Sequence, residues 1–264
     1  MVWIFIPSSM QVNKILNARV PIVKFKHTAT CMECDISLND LSSIKMAELM
    51  FAWGELCPKL RPLTAVLKIW AHQRGIIKDQ QPGPYLSNFM VIMMTVFYLQ
   101  SKKLLPTFRQ MCLEAEEKDN FVQDGVNYSF SSDVDRLKKY VVEQEPVDVG
   151  TLLKNFFDFY SDFDFEKHCI SVIEGVPVEK TSFHALCIQN PLELGHNVSQ
   201  NVNVRNVQKL FQEVLLGQKI LQQESPTLYN MLSEQSIAKA TNFEISSLFS
   251  NGAEVAVGDE IKTK

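Results

Sequence analysis

VPIVKFKHTATCMECDISLND, residues 20–40, decides how the N-terminal part of this chain is read. Val20, Ile22, Val23 and Phe25 make an apolar run of the kind that forms a half-buried strand. A short polar loop follows, and then a single carboxylate, Asp35, stands beside the apolar Ile36. A carboxylate placed in a strand is costly unless something positive meets it. A cation or a metal ion is therefore expected beside Asp35.

Outward from this stretch, residues 12–40 hold the strand signals of the N-terminal part. From about residue 41 the apolar spacing becomes helical, through Leu49, Met50, Trp53 and Leu56, then Leu63, Val66, Leu67 and Trp70. GPYLSNFMVIMMTVFYLQ (83–100) opens with Gly and Pro and continues almost wholly apolar. That pattern predicts the central helix of a helical domain. The acidic segment 114–136 reads as a surface connection, and VDVGTLLKNFFDFY (147–160) as another helix. CISVIEGVPVEK (169–180) reads as a small strand pair. A loop at 188–203 leads into an amphipathic helix at 204–223, and the Ser- and Gly-rich tail 243–264 reads as disordered. The fold class is thus α+β. A partial sheet in 1–40 precedes a mainly helical domain spanning 41–242.

Totals narrow the class. With 264 residues the chain makes one large domain or two modest ones, and its net charge of −4 rules out a basic nucleic-acid coat. Positive groups include local clusters: Lys24, Lys26 and His27; Lys102 and Lys103; Arg136, Lys138 and Lys139. Six scattered Cys in a chain of this size suit a reducing compartment better than a disulfide scaffold. No run of 18 apolar residues occurs, so no membrane-spanning helix is expected. The opening MVWIFIPSSM lacks a basic leader and reads as neither a signal peptide nor a mitochondrial presequence.

Several groups are candidates for chemistry. Cys31 and Cys34 have the spacing of half a zinc site, with His27 nearby. No second ligand pair follows at finger spacing, so the reading is loop or core thiols. Lys68 and His72 lie one turn apart and could grip a triphosphate, although the residues alone favour a solvated helix face. Ser87, Asn88 and Phe89 begin the apolar helix, where caps and anion sites both occur; capping suffices for the residues alone. Asn190, Glu193, His196 and Asn197 crowd into one irregular loop, able to present hydrogen bonds to a base edge or simply to face water.

These fragments fall in a telling order: CDISLND, then RPL-x4-K-x-WA, GPYLSNF-x2-IMM, VDVGTLLKNFFDFYSDFDFEKHCISVIEG and QNPLELGHNVSQNV. Together, over roughly residues 11–222, they resemble the noncanonical poly(A) polymerase and terminal uridylyltransferase family. ILNARVPIVKF and NVSQNVNVRNVQKLFQEV are most similar to its mitochondrial poly(A) polymerase branch. The resemblance implies a nucleotidyltransferase domain of which 1–40 is the C-terminal remnant. It also implies a helical central domain with a PAP-associated segment at about 147–203.

The implied activity is transfer of AMP from ATP to RNA 3′ ends in the mitochondrion, with Mg²⁺ or Mn²⁺. The alternatives are a uridylyltransferase using UTP, a cytoplasmic location, or a noncatalytic nucleotide-, RNA- or protein-binding remnant. The implied partners are an RNA 3′ end and ATP or UTP, with no membrane and a homodimer of the full-length protein. In such enzymes three carboxylates hold two metal ions. The resemblance makes Asp35 the third, both catalytic and metal-binding. Its two partners should lie upstream in an Asp-x-Asp pair. None of the 34 preceding residues is Asp, and the one Glu, Glu33, lies beside Asp35 on the wrong strand. The chain is therefore expected to lack the first half of the catalytic domain.

For the nucleotide, the resemblance assigns Lys68 and His72 to the triphosphate and Ser87 and Asn88 to phosphate or sugar. Phe89 is assigned to stacking on the base, and Asn190, Glu193 and His196 to base recognition. A His at the place of His196 helps to select uracil in the uridylyltransferases. Asn39 fits the Asn pair after the third Asp, where Asp40 departs from it. Met46 and Ala47 replace small polar residues near the ribose.

Overall fold

A computed structural model describes residues 9–17, 21–37, 41–78, 83–123, 125–142 and 147–223. The tail reading for 243–264 and the positions of Asn39 and Asp40 lie outside the described residues.

The N-terminal sheet has three antiparallel strands in sequence order: β1 (Ser9–Ile15), β2 (Ile22–His27) and β3 (Glu33–Ser37). Strand alternation sorts its side chains onto two faces. Lys24 pairs with Asp35 and Lys26 with Glu33 on one face; Val23 pairs with Ile36 and Phe25 with Cys34 on the other. The β2 residues are all half-buried, and Ile36 is 39% exposed. Contacts of the sheet run mainly within itself, β1 on β2 and β2 on β3.

Among the described residues seven helices carry most of the core: α1 (Leu41–Leu56), α2 (Leu60–Gln73), α3 (Asn88–Ser101), α4 (Phe108–Leu113), α5 (Val134–Leu137), α6 (Val149–Ser161) and α7 (Val204–Leu221). In α2 the buried Leu60, Leu63, Leu67, Trp70 and Ala71 form one stripe. Pro62 sits in its first turn, where the missing N–H would have no helical partner. The α3 helix is buried almost all round, so it needs neighbours on every side. An aromatic set from α6 meets it: Tyr98 lies against Phe156 in an edge contact at 5.7 Å, and the buried Tyr160 hydroxyl donates to the Met94 carbonyl at 2.8 Å.

Helix α6 starts at Asp148, whose carboxylate accepts from Thr151 N at 3.0 Å. Helix α7 crosses α6 at Gly217, where an added Cβ would stand 2.5 Å from the Phe157 ring. Only glycine permits that approach.

Segment 114–136 differs from its surface reading. It contains two two-residue strands, β4 (Val122–Gln123) and β5 (Val126–Asn127), and buries Phe130 and Ser131 to 1% exposure each. The acidic residues signal water, but Tyr128 and Phe130 anchor the turn in the core. Strands β6 (His168–Cys169) and β7 (Val178–Glu179) pair as the sequence suggests.

This division between sheet and helices has a measurable consequence. Amide exchange is expected to be slowest through 91–99 of α3 and faster at Val23 and Phe25 of the N-terminal sheet. Equal protection in the two regions would mean that the apolar sheet face is covered in solution.

Candidate functional site

Three distant segments converge on one cavity of about 300 Å³. The first turns of α1 supply Ser42, Ser43 and Met46. The first turn of α3 supplies Phe89, and the loop after β7 supplies Asn190, Leu192 and Glu193. Polar groups from two sides thus flank one half-buried aromatic ring.

The start of α3 is fixed by Ser87, whose hydroxyl accepts from Met90 N at 3.3 Å. That cap sets the direction in which Asn88 and Phe89 project. Asn88 turns to α2, where its Oδ1 lies 3.1 Å from His72 Nε2. Lys68 is half-buried one turn earlier on α2. His72 and Asn88 thus meet between α2 and α3, with Lys68 one turn away on α2.

The loop holds its shape through its own backbone and two asparagines. Asn190 N donates to His196 O and His196 N to Glu193 O, both at 3.0 Å. Leu192 N donates to Asn190 Oδ1 at 3.0 Å, and Gly195 supplies the left-handed turn at φ +87°. Beneath the loop, Asn197 Oδ1 accepts from Ile188 N and Ser199 N, while its Nδ2 donates to Leu186 O at 2.9 Å. Leu192, 2% exposed, anchors the tip in the core. Asn190 and Glu193 thereby border the same cavity as Phe89.

Of the sequence-predicted residues, Phe89, Asn190 and Glu193 line the cavity together. Asp35, Lys68, His72, Ser87, Asn88 and His196 are not among its lining side chains. Ser42 and Ser43 were missed. Two serines at a helix start read as capping, and only their placement opposite Phe89 distinguishes them. Two larger hollows, about 580 and 540 Å³, flank the turn at 162–164 and contain none of the predicted residues.

Asp35 has a protein partner: its Oδ2 lies 3.5 Å from Lys24 Nζ, with both side chains nearly half exposed. Glu33 stands on the same strand, opposite Lys26. Among the described residues no three His, Cys, Asp or Glu side chains gather as metal ligands. The donors present do not make a two-metal site, and no metal-dependent step follows from them. His27, Cys31 and Cys34 likewise form no zinc centre; His27 Nδ1 is 2.9 Å from Thr30 Oγ1, and Cys31 is exposed in the hairpin turn.

The cysteines, read as those of a reducing compartment and not of a disulfide scaffold, include one bonded pair. Cys169 and Cys187 form a buried disulfide, whereas Cys31, Cys34, Cys57 and Cys112 are free. Tertiary packing brings their Cα atoms to 4.7 Å across a sequence separation of 18. Among the described residues no helix is long and apolar enough to cross a membrane.

Known proteins resemble this chain in both sequence and fold. The central palm domain of mitochondrial-like poly(A) RNA polymerase matches residues 6–55, and the PAP-associated domain described as Cid1 family poly A polymerase matches 148–196. The mitochondrial poly(A) RNA polymerase of Drosophila melanogaster is 38% identical over 227 residues, covering 85% of this chain. Its Homo sapiens counterpart is 34% identical over 222 residues, covering 83%. The chain spans 37% and 38% of those two relatives.

The crystal structure of mtPAP with ATPγS superposes with a TM-score of 0.78 at 34% identity, covering 86% of this chain and 50% of that one. A cytoplasmic RNA terminal U-transferase shares the fold, with a TM-score of 0.72 at 22% identity, over 85% of this chain and 72% of that one.

Proposed function

Because the chain belongs to the mitochondrial-type noncanonical poly(A) polymerases over the span it shares with them, we propose that it forms the nucleotide-binding part of an RNA 3′-end adenylyltransferase working in the mitochondrion. The observation that carries this is the convergence of Ser42, Ser43, Phe89, Asn190 and Glu193 on one cavity. In this reading the adenine stacks on Phe89, and Asn190 and Glu193 meet its edge. Ser42 and Ser43 take the sugar contact from which Met46 and Ala47 have withdrawn, one turn further along α1. His72 and Lys68 hold the triphosphate, with Asn88 orienting the imidazole. Asp35 is the carboxylate that this chain would bring to the side of the phosphates.

Equilibrium ATP binding to the chain tests the site. Phe89→Ala is expected to weaken binding about tenfold or more, since stacking on an aromatic is worth roughly 1–3 kcal/mol per base. Unchanged affinity would remove the cavity from consideration.

Base choice separates adenylyl from uridylyl transfer. His196 takes part in its loop through backbone N and O, so His196→Ala leaves the loop's shape intact. If the imidazole reads the base, the ratio of ATP to UTP affinity changes about tenfold, the scale of one good base-edge contact. A constant ratio assigns selection to Asn190 and Glu193 instead.

A further inference from the structure

The disulfide lies at the base of the recognition loop. Cys187 is followed directly by Ile188, Gln189 and Asn190. Cys169 precedes Ile170, which bridges Ile188 in parallel. Two backbone hydrogen bonds reinforce this seam: Ile170 N to Cys187 O at 2.8 Å, and Gln189 N to Ile170 O at 3.0 Å. The crosslink therefore clamps the loop three residues before Asn190 enters the cavity. No other covalent tie crosses this seam among the described residues.

We propose that Cys169 and Cys187 are a reversible dithiol–disulfide site that sets the rigidity of the 190–196 loop. Its significance for nucleotide affinity rests on the functional reading above, but the redox chemistry does not. The pair is built for intramolecular closure, because packing holds its Cα atoms 4.7 Å apart. Cys187 is 9% exposed and Cys169 3%, so Cys187 meets an oxidant first. With a small disulfide such as oxidised glutathione, the Cys187 thiolate attacks one sulfur and expels a glutathione thiolate. The Cys169 thiolate then attacks Cys187 Sγ in the mixed disulfide and expels the second. Two cysteine thiols are oxidised, one glutathione disulfide is reduced to two thiols, and the two protons pass to those leaving groups.

Closing this loop removes conformations in which the seam opens, so the oxidised form holds residues 190–196 more tightly. A reducing setting would release the clamp and let the loop adapt or exchange its nucleotide.

The test uses the whole 264-residue chain after dithiothreitol or after oxidised glutathione, each followed by alkylation and non-reducing peptide mapping. Oxidation is expected to join the Cys169 and Cys187 peptides with a loss of about 2 Da relative to the two thiols, and reduction to leave both alkylated. Mapping distinguishes this pair from glutathione added at the exposed Cys31. Amide exchange of 190–196 is expected to be about tenfold slower in the oxidised protein. In C169S and C187S the two treatments should give the same loop exchange.

Cys187 remaining alkylatable after oxidation overturns the proposal, and so does a formed crosslink with unchanged loop exchange. The comparison of oxidised with reduced unsubstituted protein needs no variant to fold. Protection of residues 42–46 and 88–90 by ATP, measured in either redox state, reports on the nucleotide site separately.

Discussion

Arg74→Ala is expected to destabilise the helical body by about 3–5 kcal/mol at neutral pH, the usual scale for removing one partner of a buried ion pair. Arg74 follows α2 and is 5% exposed; its Nε lies 3.6 Å from Glu213 Oε2 on α7. The pair ties together two helices that are far apart in sequence. Burial raises the Glu213 pKa above its ordinary 4.5, while Arg74 and Lys209 pull it down. Lys209 itself donates to the Gly75 carbonyl at 3.0 Å, closing the same corner.

The raised pKa fixes the sign of the pH dependence. A carboxyl whose folded pKa lies above its unfolded value contributes most below the unfolded pKa, and that contribution is lost as pH rises through the folded pKa. Removing Arg74 enlarges the loss by raising the folded pKa further. The deficit of the variant should therefore be greatest above the carboxylate range and shrink toward pH 4. Urea unfolding of both proteins across that range measures it. A deficit independent of pH would mean that Arg74 acts through packing alone.

The second large effect concerns catalysis. The 264-residue polypeptide, given ATP, Mg²⁺ and an RNA primer, is expected to leave the primer unextended. Two-metal transfer requires converging carboxylates, and Asp35 is paired with Lys24 rather than with further acids. In a longer protein that supplies the preceding Asp-x-Asp pair, Asp35→Ala should lower turnover by about three orders of magnitude, equal to roughly 4 kcal/mol. Tailing by the 264-residue chain that Asp35→Ala abolishes would show that its missing ligands lie within this sequence.

Local patterns made the helical body legible. The apolar spacing of Leu63, Leu67 and Trp70 and the capping residues Ser87 and Asp148 announce their helices wherever the rest of the chain lies. The order of short motifs likewise identified the family, and it assigned Phe89, Asn190 and Glu193 together to the base; the three line one cavity. Segment 114–136 was less legible, because the turn-rich composition of a surface loop concealed its anchor Phe130.

The opening carboxylate marks the limit. Sequence alone determined that Asp35 sits in a strand and needs a positive neighbour, since alternation and desolvation are local matters. Strand register then decided which neighbour: pairing β2 with β3 sets Lys24 opposite Asp35, and a slip of one residue would have set an apolar side chain there. Tertiary structure alone also chose Ser42 and Ser43, paired Arg74 with Glu213, and joined Cys169 to Cys187. Each of these depends on where one element packs against another distant in the chain. That is fixed by the shapes of many side chains at once, and no local spacing encodes it.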